Sequence, residues 1–174
     1  MRIPRLPFPV WPLGAALAVA GTVFAVGLFT GAGANAEDGE GMGLRPVTDK
    51  TVLTECGACH MAFPPGLLPA RSWRAIMGKL DDHFGENAAL DDATVKRITD
   101  YLVANAADSG NGNRRALRGV KTNDTPLRIT ELPWWVREHS REVRPGAFKD
   151  PRVKSKANCV ACHRGAAKGY FGDD

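Results

Sequence analysis

Two copies of one pentapeptide, Cys56-Gly57-Ala58-Cys59-His60 and Cys159-Val160-Ala161-Cys162-His163, constrain this chain more than any other feature. The spacing C-x-x-C-H is the attachment signature of c-type haem. Two thiolates on one helical turn reach the two vinyl groups, and the following imidazole meets the iron. All four cysteines are thereby used. A disulfide or thioredoxin-like reading accounts for C-x-x-C but not for the histidine, and a zinc site needs further ligands that the sequence does not cluster nearby. The expectation is two covalently bound haem c groups, one through Cys56 and Cys59 and one through Cys159 and Cys162.

The histidines extend the argument, because there are only four. His60 and His163 are proximal ligands by motif, leaving His83 and His139 for the two remaining axial positions. His83 follows His60 by 23 residues and His139 precedes His163 by 24. Each motif therefore has one histidine within reach along the chain, and the simplest ligand set is bis-histidine at both irons. Two alternatives stand beside it. His83 could serve the second iron in a crossed arrangement, or a thioether could close one iron, as in many cytochromes c. Met61 adjoins a proximal ligand and cannot cross the ring, and Met42 lies in a Gly-rich stretch, so Met77 is the competitor.

Residues 1–36 have the form of an export signal, with Arg2 and Arg5 in front, an apolar run from Leu13 to Phe29, and Ala34-Asn35-Ala36 as a small-residue cleavage site. The run is also close to the minimum for a membrane span, so an uncleaved inner-membrane anchor is the alternative. Export places haem attachment outside the cytoplasm, in the periplasm, and excludes nucleic acid as a partner. Cleavage leaves 138 of the 174 residues, the size of one ordinary domain or two very small ones. The formal charge divides: residues 37–109 carry 7 Lys/Arg against 12 Asp/Glu, and residues 110–174 carry 14 against 7. The first haem domain is read as 37–109 and the second as 110–174, with Ser109-Gly110-Asn111-Gly112-Asn113 as the break.

In the first half, Glu37 to Pro46 is expected to be a mobile lead-in, and a helix from about Thr48 delivers Cys56. The prolines of Phe63 to Pro69 interrupt helix and form a loop. Ser72 is the expected N-cap of a second helix whose stripe Trp73, Ile76, Met77 and Leu80 continues to His83 and Phe84, with Gly85 as its end. Asp91 and Asp92 open a third helix, with Val95, Ile98, Leu102 and Ala106 inward and Lys96, Arg97 and Asp100 outward. In the second half, Pro133 suits the first turn of a short helix that places Trp135, Val136, His139 and Val143 on one face. The rest is expected to wrap irregularly around its haem. The fold class is mainly α: two small c-type haem domains, the first class I cytochrome c-like, the second short and irregular.

Together, C-G-A-C-H, the segment Leu68-Pro69-Ala70-Arg71-Ser72-Trp73 leading to Asp82-His83-Phe84-Gly85-Glu86, Leu132-Pro133-Trp134-Trp135 leading to His139, and C-V-A-C-H resemble the small exported dihaem cytochromes c of purple phototrophic and related bacteria. The resemblance spans about residues 48–165. It implies bis-histidine ligation at both haems, a class I-like first domain and a less regular second one. It also implies redox partners: an oxygen-binding monohaem cytochrome of the SHP type and a membrane b-type cytochrome. Imidazoles on both faces of each iron leave no site for substrate, so an electron carrier is expected rather than an enzyme. Its potential should be low, because imidazole donates to ferric iron better than thioether does. The alternative is a haem enzyme or gas sensor in which one distal histidine dissociates.

Overall fold

The computed structural model describes residues 42–110 and 112–172. The export segment, its cleavage site and residues 37–41 of the lead-in lie outside the described residues. What is described belongs to one compact unit, Glu37–Asp174. It is built from α-helices and 3-10 turns, with no strand among the described residues beyond an isolated bridge between His83 and Glu86. Among those residues no helix is long and apolar enough to cross a membrane.

Helix α1 (Lys50–Glu55) starts where the Asp49 carboxylate accepts from the backbone N–H groups of Thr51 and Val52, at 2.8 and 3.2 Å. The same carboxylate takes the Arg97 guanidinium at 2.9 Å, which ties this cap to a later helix. Helix α2 (Ala70–Met77) begins two residues before the expected Ser72. A cap from elsewhere in the chain is the reason: Asp108 accepts from the Ala70 N–H at 2.8 Å. Ser72 is instead a fully buried residue inside the helix. Helix α3 (Asp92–Ala104) follows the sequence closely, with Asp91 accepting from the Thr94 N–H. Ile98 and Leu102 are buried, and Lys96 bonds Asp100 outside, one turn on.

Helices α1 and α2 both pack on α3. Their shared core holds Val52, Leu68, Trp73, Met77, Ile98, Leu102 and Ala106. Leu132 and Trp135, from the start of helix α4 (Pro133–Glu142), belong to the same core. Arg71 adds a polar bridge: its guanidinium donates to the Asp124 and Lys121 carbonyls and faces Asp108 at 3.7 Å. The remaining chain beyond residue 110 runs through short turns at Arg114–Leu117, Ile129–Glu131, Ala147–Lys149, Cys159–Ala161 and Ala166–Lys168. The proline run is a loop fixed by a 3-10 turn, Pro65–Leu67, whose Pro65 carbonyl accepts from Trp73 Nε1 at 2.8 Å.

The described end of the lead-in, residues 42–46, is more ordered than Gly43 suggests. From residue 42 it is packed: Leu44 is 5% exposed, and the Asn113 side chain donates to the Met42 carbonyl. The tail closes over it at Gly169, which has φ +83 and lies so near the Leu44 carbonyl that a Cβ would overlap it. Gly169→Ala is therefore expected to cost about 1–3 kcal/mol, from left-handed strain together with the clash. Gly172→Ala, with open space around its Cβ position, should change stability by less than about 0.5 kcal/mol. Denaturant midpoints of the two variants check this.

Candidate haem sites

The first pentapeptide rides on a 3-10 turn, Cys56–Ala58, that continues α1 directly. Helix α1 thus fixes where Cys56, Cys59 and His60 sit. His60 Nδ1 lies 2.7 Å from the Met61 carbonyl. A carbonyl only accepts, so Nδ1 carries the proton and Nε2 keeps its lone pair for a metal. Phe63 stacks on the same imidazole at 4.9 Å.

His83 reaches this place by a different route from the one its stripe suggests. Helix α2 stops at Met77 with Gly78 as its cap, and a 3-10 turn, Leu80–Asp82, carries the chain on. His83 and Glu86 then exchange backbone hydrogen bonds, His83 N–H to the Glu86 carbonyl at 2.7 Å and the reverse at 3.2 Å. The two residues between them, Phe84 and Gly85, have φ of 59° and 99°. Glycine suits that conformation. For Phe84 it costs on the order of 1–3 kcal/mol, and strain of this kind gathers at functional sites. The Phe84 ring meets His83 edge-on at 4.9 Å, and the Arg128 guanidinium covers its face at 4.2 Å.

The second pentapeptide also forms a 3-10 turn, closed by the Cys162 and His163 N–H groups on the Cys159 carbonyl. His139 comes from α4, where Pro133 occupies the first turn as expected. Its Nδ1–H donates to the Trp135 carbonyl at 2.9 Å, again leaving Nε2 free. Trp135 is buried, whereas Val136 is 48% exposed. Val143 falls just past the helix as its C-cap.

The four histidines come together in two pairs. His60 faces His83 with ring centroids 6.1 Å apart, and His139 faces His163 at the same 6.1 Å. Two imidazoles that each bind one metal ion at about 2 Å from opposite sides have centroids about 6 Å apart. Among the described residues no group of three or more His, Cys, Asp or Glu is arranged to hold an ion by itself. Each pair thus has the spacing of two donors to one ion, with no third such ligand grouped beside it among the described residues. Burial lowers the pKa of His83, and electrostatic interaction with His60 and Arg128 lowers it further. Burial also lowers that of His139, against the opposing effect of the Trp135 carbonyl. Both imidazoles are thus neutral at neutral pH, with lone pairs available.

Several further observations fit a porphyrin. The four cysteines are free thiols rather than disulfides. Leu53, Phe84, Val136 and Val160 are large apolar side chains, each more than 40% exposed, and each lies within three residues of a motif cysteine or a paired histidine. Trp134 Nε1 is buried without a hydrogen-bond acceptor. Leaving such a donor unpaired costs about 1–3 kcal/mol, and a haem propionate is an acceptor of the right kind. Met77 is packed in the core at 6% exposure. Neither the Trp134 donor nor the Arg128 and Trp135 ring contacts were readable from spacing, because each depends on side-chain direction between distant segments; the adjacent tryptophans were the one hint.

The dihaem cytochrome c family model matches residues 52–171, a span that takes in both pentapeptides, His83 and His139. A diheme cytochrome c from Rhodobacter sphaeroides is 55% identical, with a TM-score of 0.68, over 73% of this chain and 99% of that one. A crystal structure of DHC purified from the same organism gives 51% identity and a TM-score of 0.62 over 72% and 99%. A diheme cytochrome c from Shewanella baltica OS155 gives 39% and 0.57 over 70% and 85%. No curated protein matches. Cytochromes c are typically exported electron carriers, and the helical fold agrees with these structures. With two covalently bound haem c groups, the chain belongs to the dihaem cytochrome c family.

Proposed function

We propose that the protein is a periplasmic, low-potential electron carrier whose two irons are each held by two histidines, His60 with His83 and His163 with His139. The repeated 6.1 Å separation of the imidazole pairs supports this reading above all. Cys56 and Cys59, and Cys159 and Cys162, carry the thioether links. The bound haems supply the one-electron ferric/ferrous chemistry. The chain supplies axial donors, and hydrogen bonds from His60 Nδ1 and His139 Nδ1 to backbone carbonyls make those imidazoles more basic. More basic donors favour the ferric state and hold the potential down. Filling both axial positions leaves no site for a substrate.

The charge division gives the partners their sides. Arg114, Arg115 and Arg118 are exposed on and beside one turn, and Lys154 and Lys156 are exposed before the second pentapeptide. Asp81, Asp82 and Glu86 are exposed around the His83 turn. An acidic partner docks on the basic side, and a basic or neutral one docks near the first haem. The proposed partners are an oxygen-binding monohaem cytochrome c and a membrane b-type cytochrome, in keeping with the family resemblance. Oriented charge of this kind raises encounter rate more than affinity.

Carbon monoxide separates a carrier from a haem enzyme or gas sensor. The reduced protein should leave both Soret bands unchanged under carbon monoxide, whereas prompt binding at either haem would contradict the reading. His83→Met should raise the potential of the haem linked to Cys56 and Cys59 by on the order of a hundred millivolts, within the ~0.8 V that axial ligands span. A shift confined to the other haem would instead show crossed pairing. Electron transfer to an acidic partner should slow steeply as salt rises, since screening acts over about 10 Å at 0.1 M. Changing Arg114, Arg115 and Arg118 together to Glu should slow it as much at low salt, as read by stopped flow.

A further inference from the structure

The two imidazole pairs share one separation and differ in a second quantity. His60 and His83 are nearly parallel, at 19°, whereas His139 and His163 cross at 82°. We infer that Trp135 is a positioning residue that sets the plane of the His139 ring, and that the crossed geometry it holds makes the second haem electronically unlike the first. The inference rests on the ligand assignment proposed above and deepens it.

Trp135 acts on His139 in two ways at once. Its carbonyl accepts the Nδ1 proton at 2.9 Å, and its indole lies flat on the imidazole at 3.9 Å with 13° between planes. The hydrogen bond fixes which edge of the ring turns back toward the helix, and the stack fixes the plane. Trp135 cannot follow a rotating imidazole, because it is 6% exposed, sits in the main core and meets Phe148 at 5.6 Å. The Lys156 ammonium lies 5.9 Å from both the Trp135 and Phe148 rings and covers the cluster. At the first site the comparable contacts fall on His60, on which Phe63 stacks at 4.9 Å and whose Nδ1 meets the Met61 carbonyl at 2.7 Å, and not on His83. His83 has only the edge of Phe84 beside it, and among the described residues neither of its ring nitrogens is hydrogen-bonded.

The consequence follows from how imidazole donates. Its filled π orbital overlaps whichever of the two iron dπ orbitals lies across its plane. Parallel rings act on the same orbital and split the pair, while crossed rings act on one each and leave the pair nearly degenerate. In the ferric state the first arrangement gives a resolved rhombic spectrum, and the second gives a single feature displaced far to low field.

The test is low-temperature electron paramagnetic resonance of the oxidised, haem-loaded protein, with near-infrared magnetic circular dichroism on the same samples. The expected spectrum contains one rhombic signal and one low-field signal of equal spin. Trp135→Leu, which removes the stack and keeps the carbonyl and apolar bulk, should broaden or shift the low-field signal and leave the rhombic one in place. Trp135→Phe, which restores a flat ring, should recover it. Two rhombic signals in the unaltered protein, or a low-field signal indifferent to Trp135→Leu, would overturn the inference while leaving the ligands standing. The charge-transfer bands in the dichroism identify the ligands independently of ring orientation. A thioether or high-spin band at the second haem would mean that the ligand assignment has failed and the inference with it.

Discussion

An iron held between imidazoles on opposite faces fixes two histidines at one separation, with ring centroids about 6 Å apart. Under the proposed ligation, the rest of this chain is a means of meeting that condition twice. Helix α1 runs straight into the first pentapeptide, so the Asp49 cap that starts the helix also locates His60. His83 approaches on a reciprocally bonded turn that strains Phe84. His139 approaches on α4, whose first turn is anchored in the core shared by α1, α2 and α3. A chain this small has few side chains to spare for a core, and the macrocycles supply apolar surface much as metals and disulfides do in other small scaffolds.

How much of this was legible depends on how local each signal is. The pentapeptides were readable because attachment chemistry dictates adjacent residues. Helix α3 was readable because its cap, its apolar stripe and its end are all written within the helix. The pairing of His83 with His60 was read from elimination among four histidines, from reach along the chain, and from a helical stripe that pointed to His83. That stripe breaks at Gly78, and His83 arrives by a turn whose residue Phe84 is a poor choice for positive φ. Local propensity gave no warning of either.

Other differences have the same origin in contacts between distant segments. Ser72 has the chemistry of an N-cap, yet Asp108 does that work from 38 residues away. The glycines of the lead-in suggest mobility, yet Leu44 is buried where the Gly169 tail comes close. No spacing rule encodes these outcomes, because each is decided by where a remote residue happens to pack. The crossing angle at the second site is subtler still, since it rests on a ring orientation rather than on a residue's position.

The central claim is that each iron lies between a local pair of histidines. An anomalous difference map recorded at the iron absorption edge, from crystals of the haem-loaded protein, tests it most directly. The account predicts two iron peaks, one midway between the rings of His60 and His83 and one midway between those of His139 and His163. An iron peak flanked by His60 and the sulfur of Met77, or by His83 and His163, would contradict it.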